Sequence, residues 1–328
     1  MSEQKMSMVE ALNSTLDHAL ATDPDVFLLG EDIQDPAGGS FKVTAGLSTK
    51  HGRDRVRETP ISEQAIIGAA IGAAMLGAKP IAEIMIADFH LVALDQLGNH
   101  AAKLRYMSGG RTTVPMVVRG FFTGGFNFAA QHSQSVEALL AHLPGLKIAI
   151  PSTPADAKGI LSTAIDDPDP VVILEPAALY GVPGQVPTGE YKVPLGSANV
   201  VREGSDVTII TYGVQVGVAQ AAAQELEGDG INVEVIDLRW LVPWDEATVI
   251  ESVRKTTKAV VLHQAVKRGG FGAEIAATLQ DELWGTLTAP VIRVAGANTP
   301  VPFAAELETQ HMPQVADVVA GVRRAVGK

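Results

Sequence analysis

Apolar positions along the chain fall into short continuous runs separated by amphipathic stretches. Val26–Gly30 (VFLLG), Ile81–Met85, Val114–Gly120, Lys147–Ile150 and Val171–Leu174 are nearly unbroken, as expected of strands buried on both faces. Helical spacing between them predicts helices near Met8–Ala21, Ser62–Gly77, Leu91–Tyr106, Ser135–His142 and Pro154–Ile165. The Pro/Gly-rich stretch Glu175–Ala198 has no helical period and reads as a linker. The alternation then resumes. Strands are predicted at Val207–Gly213, Asn232–Asp237, Ala259–Gln264 and Pro290–Gly296, and helices near Val214–Gly228, Asp245–Lys255, Ala273–Trp284 and Gln314–Val326. This pattern predicts an α/β fold with mostly parallel sheets in two successive domains of unequal size, meeting near Tyr191.

Composition narrows the function classes. The chain has 328 residues, which favours two cores over one. Its net charge of −12, with no Lys/Arg run, argues against nucleic acid as the main partner, because phosphate binding needs a basic stripe. With no cysteine in the chain, disulfides, thiolate zinc sites, iron–sulfur clusters and cysteine nucleophiles are ruled out. The N-terminal stretch has neither a signal-type apolar core nor an Arg-rich transit pattern, and no apolar segment is long enough to span a bilayer. A cytoplasmic protein without membrane contact is expected.

The segment Thr59–Ile84 sets an acid at the head of a helix made of very small residues. Pro60 biases Thr59 towards an extended conformation, Ser62 is a good N-cap, and Glu63 becomes the first helical residue. Gly68 and Gly72, four apart, lie on one face. Interior glycines weaken a helix by about 1 kcal/mol each against alanine, so their presence points to close approach by a second helix or a second subunit. Two readings of Glu63 stand side by side. It can simply complement the helix dipole. Alternatively, if the helix start is buried, it must be paired or protonated, and can then share a proton with a ligand nitrogen.

Other constellations carry weaker signals. Arg119–Ser135 follows a strand and holds three glycines, four phenylalanines and His132. Loops at the carboxyl ends of parallel strands are where open α/β sheets bind ligands, and so many aromatic rings should pack against a ligand or partner. His132 is either a surface or capping histidine or, with Gln131, Ser133 and Gln134, part of a polar site. Gly269–Ile275 (GGFGAEI) lacks the full dinucleotide spacing and reads as a strand-to-helix turn. The Gly228-Asp229-Gly230 triplet follows a helix and precedes a strand, so it reads as a helix end, not as a thiamine diphosphate motif. Three Asp crowd the helix end at Ala164–Pro170, which suits either a bound cation or a solvated turn.

The blocks FLLGED, TPISEQAIIGAAIGAA, KLRYMSGG, AAQHSQS, PGLKIAIPSTPADAKGIL, DPVVILEP and LYGVPG together resemble a known family. It is the beta subunit of the decarboxylating component of 2-oxo acid dehydrogenase complexes, which includes pyruvate, branched-chain and acetoin enzymes. The likeness runs from about Met8 to Val326. It implies a transketolase-like pyrimidine-binding domain over residues 1–190 and a transketolase C-terminal domain over 191–328. It implies a function as well, the oxidative decarboxylation of a 2-oxo acid, or cleavage of acetoin, with acyl transfer to a lipoyl domain. By this resemblance Glu63 shares a proton with the aminopyrimidine of thiamine diphosphate, Ile61 offers backbone contacts, Phe89 packs on the pyrimidine, and His132 faces the reacting end of the cofactor. Met116, Ala164, Ile165, Asp167 and Asp169 match a potassium site, chiefly through carbonyls.

The same likeness implies partners. Magnesium and the diphosphate would be held mainly by an alpha subunit, in an α2β2 assembly that hands its product to a lipoyl-bearing acyltransferase core. His90, the Phe-rich loop and Gln264 depart from the family pattern. Another transketolase-like enzyme is one alternative, and a non-catalytic, partner-binding α/β protein is the other.

Overall fold

The computed structural model describes residues 2–328, which separate into two compact units. The first comprises residues 2–122 and 139–195. The second comprises 123–138 and 196–328.

In the first unit the strands are β1 (Glu3–Ser7), β2 (Val26–Gly30), β3 (Val56–Glu58), β4 (Lys79–Ile86), β5 (Val117–Phe122), β6 (Lys147–Ala149), β7 (Val171–Pro176) and β8 (Pro183–Pro187). Six of them lie side by side in the order β6-β7-β5-β4-β2-β3, every neighbouring pair parallel. Each residue of β2, β5 and β7 is buried, which is why these strands show no alternation of polar and apolar positions. Parallel pairing places the residues that follow β3, β2 and β4 at one end of the sheet, and these are Thr59–Glu63, Glu31 and Ala87–His90. The helix Met8–Thr22 opens with a reciprocal capping box. The Ser7 hydroxyl accepts the Glu10 N–H at 3.2 Å, and the Glu10 carboxylate accepts the Ser7 N–H at 2.7 Å. The helix Pro154–Ile165 has Thr153 as its cap and proline in its first turn.

The second unit contains β9 (Asn199–Arg202), β10 (Val207–Thr211), β11 (Val233–Asp237), β12 (Trp240–Val242), β13 (Ala259–Val266) and β14 (Ile292–Gly296). Its sheet runs β14-β13-β10-β11-β9, parallel except for the antiparallel edge strand β9. The core under this sheet joins Ile209, Val235, Val260 and Leu262 to Ala219, Ala223 and Leu226 of the helix Gln215–Glu227, and to Val318 and Val322 of the helix Val315–Val326.

Two sequence expectations need correction. Glu175–Ala198 is more than a linker. It carries the end of β7 and β8, and β8 pairs antiparallel with β1. A Gly/Pro-rich edge ribbon gives no periodicity to read. Leu91–Tyr106 is not one helix but a 3₁₀ turn (Ala87–Leu91), a π segment (Gln96–Ala101) and an α segment (Ala102–Met107). Gly230 (φ +72°) sits just past the helix end at Gly228, as the triplet's context required. Among the described residues no helix is long and apolar enough to cross a membrane.

Candidate active site

The first-unit residues gather at the carboxyl ends of β3, β2 and β4. Glu63 opens the helix Glu63–Met75 and is only 7% exposed. Ser62 occupies the N-cap position, but its hydroxyl donates to the Pro60 carbonyl at 2.9 Å and makes no cap bond. Ile61 is 83% exposed, and Phe89 is half-buried in the 3₁₀ turn after β4.

Glu31, which directly follows β2, is a site residue that the sequence alone does not single out. Burial pushes its carboxyl above the usual range, and the neighbouring Glu63 charge adds to that rise, which the Ser62 N–H partly offsets. One Glu31 carboxylate oxygen is buried with no hydrogen-bond partner. Two buried acids thus lie together at the end of the sheet, one of them biased towards keeping a proton. The available signal was a charged pair, Glu31-Asp32, placed directly after an all-apolar strand.

Behind them lies a closed polar network. Arg119 on β5 makes two hydrogen bonds of 2.7 Å to Glu175 on β7 and one of 2.9 Å to Glu83 on β4. Tyr180 donates to Glu175 at 2.6 Å. All four side chains are buried. Burial raises Glu83, with Arg119 partly offsetting it. Burial alone would lower the guanidinium's pKa, but the two carboxylates outweigh it and hold Arg119 above its ordinary value. His90 lies over Gly120, where a Cβ would come within 2.6 Å of the ring, and its Nδ1 meets the Ala87 carbonyl at 2.9 Å.

His132 belongs to the second unit, on the loop Thr123–Ala138. It is half-buried, and its carbonyl accepts the Thr123 hydroxyl. Of the four phenylalanines, Phe121 and Phe122 are buried in β5, while Phe126 and Phe128 are exposed and pack edge-to-face at 6.3 Å. Gln264 lies against Gly124, where a Cβ would sit 1.7 Å from its side-chain nitrogen.

At the Asp turn, Asp167 pairs with Lys147, and Asp169 takes two bonds of 2.8 Å from Arg105. The Met116 carbonyl accepts the Val171 N–H at 3.0 Å, and the Ala164 carbonyl accepts the Asp167 N–H at 3.3 Å, at the end of the helix that finishes with Ile165. With both carboxylates engaged, main-chain carbonyls are the donors left for a cation. Among the described residues, no cluster of three or more His, Cys, Asp or Glu side chains has metal-binding geometry.

The parallel sheets, with acids at the strand ends, define a two-unit α/β protein of the transketolase type. Residues 4–183 match the family model "Transketolase, pyrimidine binding domain", and 196–318 match "Transketolase, C-terminal domain". A split-gene transketolase, solved as an inactive beta4 tetramer, superposes with a TM-score of 0.80 at 25% identity, covering 98% of each chain. The acetoin:2,6-dichlorophenolindophenol oxidoreductase subunit beta of Cupriavidus necator is 46% identical over 98% of both chains. The mitochondrial pyruvate dehydrogenase E1 component subunit beta-2 of Oryza sativa subsp. japonica is 44% identical over 98% of this chain and 86% of its own. The chain belongs to the family of transketolase-type beta subunits of thiamine diphosphate-dependent 2-oxo acid and acetoin dehydrogenases.

Proposed function

We propose that this chain supplies the pyrimidine-binding half of a thiamine diphosphate site and works with an alpha subunit in an α2β2 assembly. The reaction is oxidative decarboxylation of a 2-oxo acid, or cleavage of acetoin. The acyl group passes to the lipoyl group of an acyltransferase core, whose disulfide is the oxidant. The observation that carries this reading is the burial of Glu63 beside Glu31 at the end of a parallel sheet.

The residues present fit the ring half of the cofactor. Glu63 and Glu31 are acids suited to a ring nitrogen, one Glu31 oxygen lacks a partner, and Phe89 offers a half-buried aromatic face. Ile61 precedes Glu63 and borders the same end of the sheet. The diphosphate and magnesium fall to the alpha subunit. When bound, the cofactor supplies the electron sink for loss of carbon dioxide. Glu63 would stand against the ring nitrogen as the acid that gives up and takes back a proton there. Of the two acids, Glu31 is the one that burial and the Glu63 charge push above the usual carboxylate range. His132 assists proton transfer at the reacting end and in the transfer to the lipoyl group. A potassium ion held by carbonyls of Met116, Ala164 and Ile165, near Asp167 and Asp169, would brace the end of that helix.

The face of the helix Glu63–Met75 supports the assembly. Ala65, Gly68, Ala69 and Gly72 are exposed, a Cβ on Gly72 would meet nothing within 4 Å, and one on Gly68 would meet only a Gln96 carbon at 4.0 Å. Among the described residues nothing uses the close approach those glycines permit, so a second subunit is the proposed occupant.

The test is reconstitution with the alpha subunit from the same source. Thiamine diphosphate-dependent reduction of an artificial electron acceptor is then measured with pyruvate, branched-chain 2-oxo acids and acetoin. Turnover with one of these is expected. A protein inert with all of them contradicts the proposal.

A further inference from the structure

The loop that carries His132 is held in a costly conformation. Gly125 (φ +97°), Asn127 (φ +59°) and Ala129 (φ +63°) all adopt left-handed backbone. For a residue such as alanine this costs on the order of 1–2 kcal/mol, so the surroundings must impose it. Two of these three residues, Gly125 and Asn127, are held by Glu308, on the helix Ala305–His311 of the same unit. One carboxylate oxygen accepts the Gly125 N–H at 2.9 Å. The other accepts the Asn127 N–H at 2.8 Å and the Asn127 side-chain amide at 2.9 Å.

Glu308 is 2% exposed, so these charge-assisted bonds lie out of water. All three donors are N–H groups, and together they engage both oxygens of the carboxylate. The far end of the loop is fixed as well. Tyr212 donates to Glu137 at 3.0 Å, and its ring stacks on His263 with the centroids 6.3 Å apart. In between, the Thr123 hydroxyl closes onto the His132 carbonyl. His132 therefore sits on a short arc pinned at both ends by buried carboxylates.

We propose that Glu308 is a positioning residue of the reaction. It touches neither substrate nor cofactor. By fixing Gly125 and Asn127 it sets the backbone path that delivers His132, five residues beyond Asn127. This rests on the assignment of His132 to the chemistry.

The test uses the reconstituted holoenzyme with Glu308→Gln, which keeps one acceptor oxygen but turns an NH2 group towards a loop N–H. Hydrogen exchange is followed across residues 123–138. Values of kcat and KM are measured with the artificial acceptor, with His132 intact and in the His132→Ala background. Exchange should accelerate within this loop. With His132 intact, kcat should fall about tenfold or more while KM changes by less than about threefold, as expected for a displaced group. In the His132→Ala background the added loss should shrink to less than about twofold, because the two residues act as one unit.

Asn127→Ala, which removes only the side-chain bond from the loop side, should give a smaller loss with the same dependence on His132. It keeps the test open should Glu308→Gln fail to assemble. Unchanged loop exchange, or equal losses in both backgrounds, would overturn the role of Glu308. Full activity in His132→Ala would instead overturn the assignment of His132, whatever the exchange pattern.

Discussion

Arg119 and Glu175 meet through two parallel hydrogen bonds of 2.7 Å between the buried strands β5 and β7. With the third bond to Glu83, this fork ties together three neighbouring strands whose carboxyl ends lie towards the candidate site. Arg119→Leu would leave two buried acids without their cation, a change that typically destabilises by about 3–5 kcal/mol. Equilibrium unfolding in urea should register that loss. A variant within about 1 kcal/mol of the parent would mean the acids are easily neutralised or resolvated.

His90 and His263 are buried, and each has a ring nitrogen with no hydrogen-bond partner. Burial pushes both to about 4 from an ordinary 6.5, although the Ala87 and Ala265 carbonyls pull the other way. Between those values the unfolded chain binds more protons than the folded one. Stability contributed by these groups is therefore full above about 6.5 and declines as pH falls towards 4. Each histidine adds a slope of up to about 1.4 kcal/mol per pH unit. Urea midpoints taken at several pH values across this window should show the decline, and a His90→Asn, His263→Asn double variant should flatten it. An identical slope in the double variant would refute the assignment.

Gly72 separates two demands on one helix. Beyond its own turn of helix, none of the described residues lies within 4 Å of a Cβ added there, and its backbone is helical. Gly72→Ala should therefore leave the isolated chain as stable or raise its stability by up to about 1 kcal/mol. If the small-residue face receives a second subunit, the same methyl group should weaken co-purification with the alpha subunit. Wild-type assembly together with unchanged melting would show that the face is simply exposed.

Much of the fold was legible because the buried parallel strands leave continuous apolar runs. The strand Val26–Gly30 and a helix near Pro154–Ile165 follow from the sequence, and the structure adds the Thr153 cap that starts that helix. The region after β4 was not, because a π segment around Gly98 keeps an apolar pattern close to that of an α-helix. A Cβ there would come within 3.1 Å of Leu143, a tertiary demand that leaves no local trace. Glu63 could be singled out because an acid heading an apolar helix is locally odd. Glu31 and Glu308 could not. Their significance lies in what they meet across the fold, Glu63 for the one and the amides of Gly125 and Asn127 for the other. The glycines of Gly269–Ile275 were read as a turn, and the structure adds their reason. Cβ atoms on Gly270 or Gly272 would come within 2.6 Å of the His263 ring.

The proposed chemistry depends on the buried Glu63 carboxyl as proton partner of the cofactor's ring. Steady-state turnover of Glu63→Gln in the complete assembly with thiamine diphosphate probes this role, alongside sedimentation to confirm that the assembly forms. Glutamine keeps the size and polarity of the side chain but cannot carry the proton, so assembly should persist while kcat falls by about 10²–10⁴-fold. A correctly assembled Glu63→Gln enzyme that turns over near the wild-type rate would contradict the account.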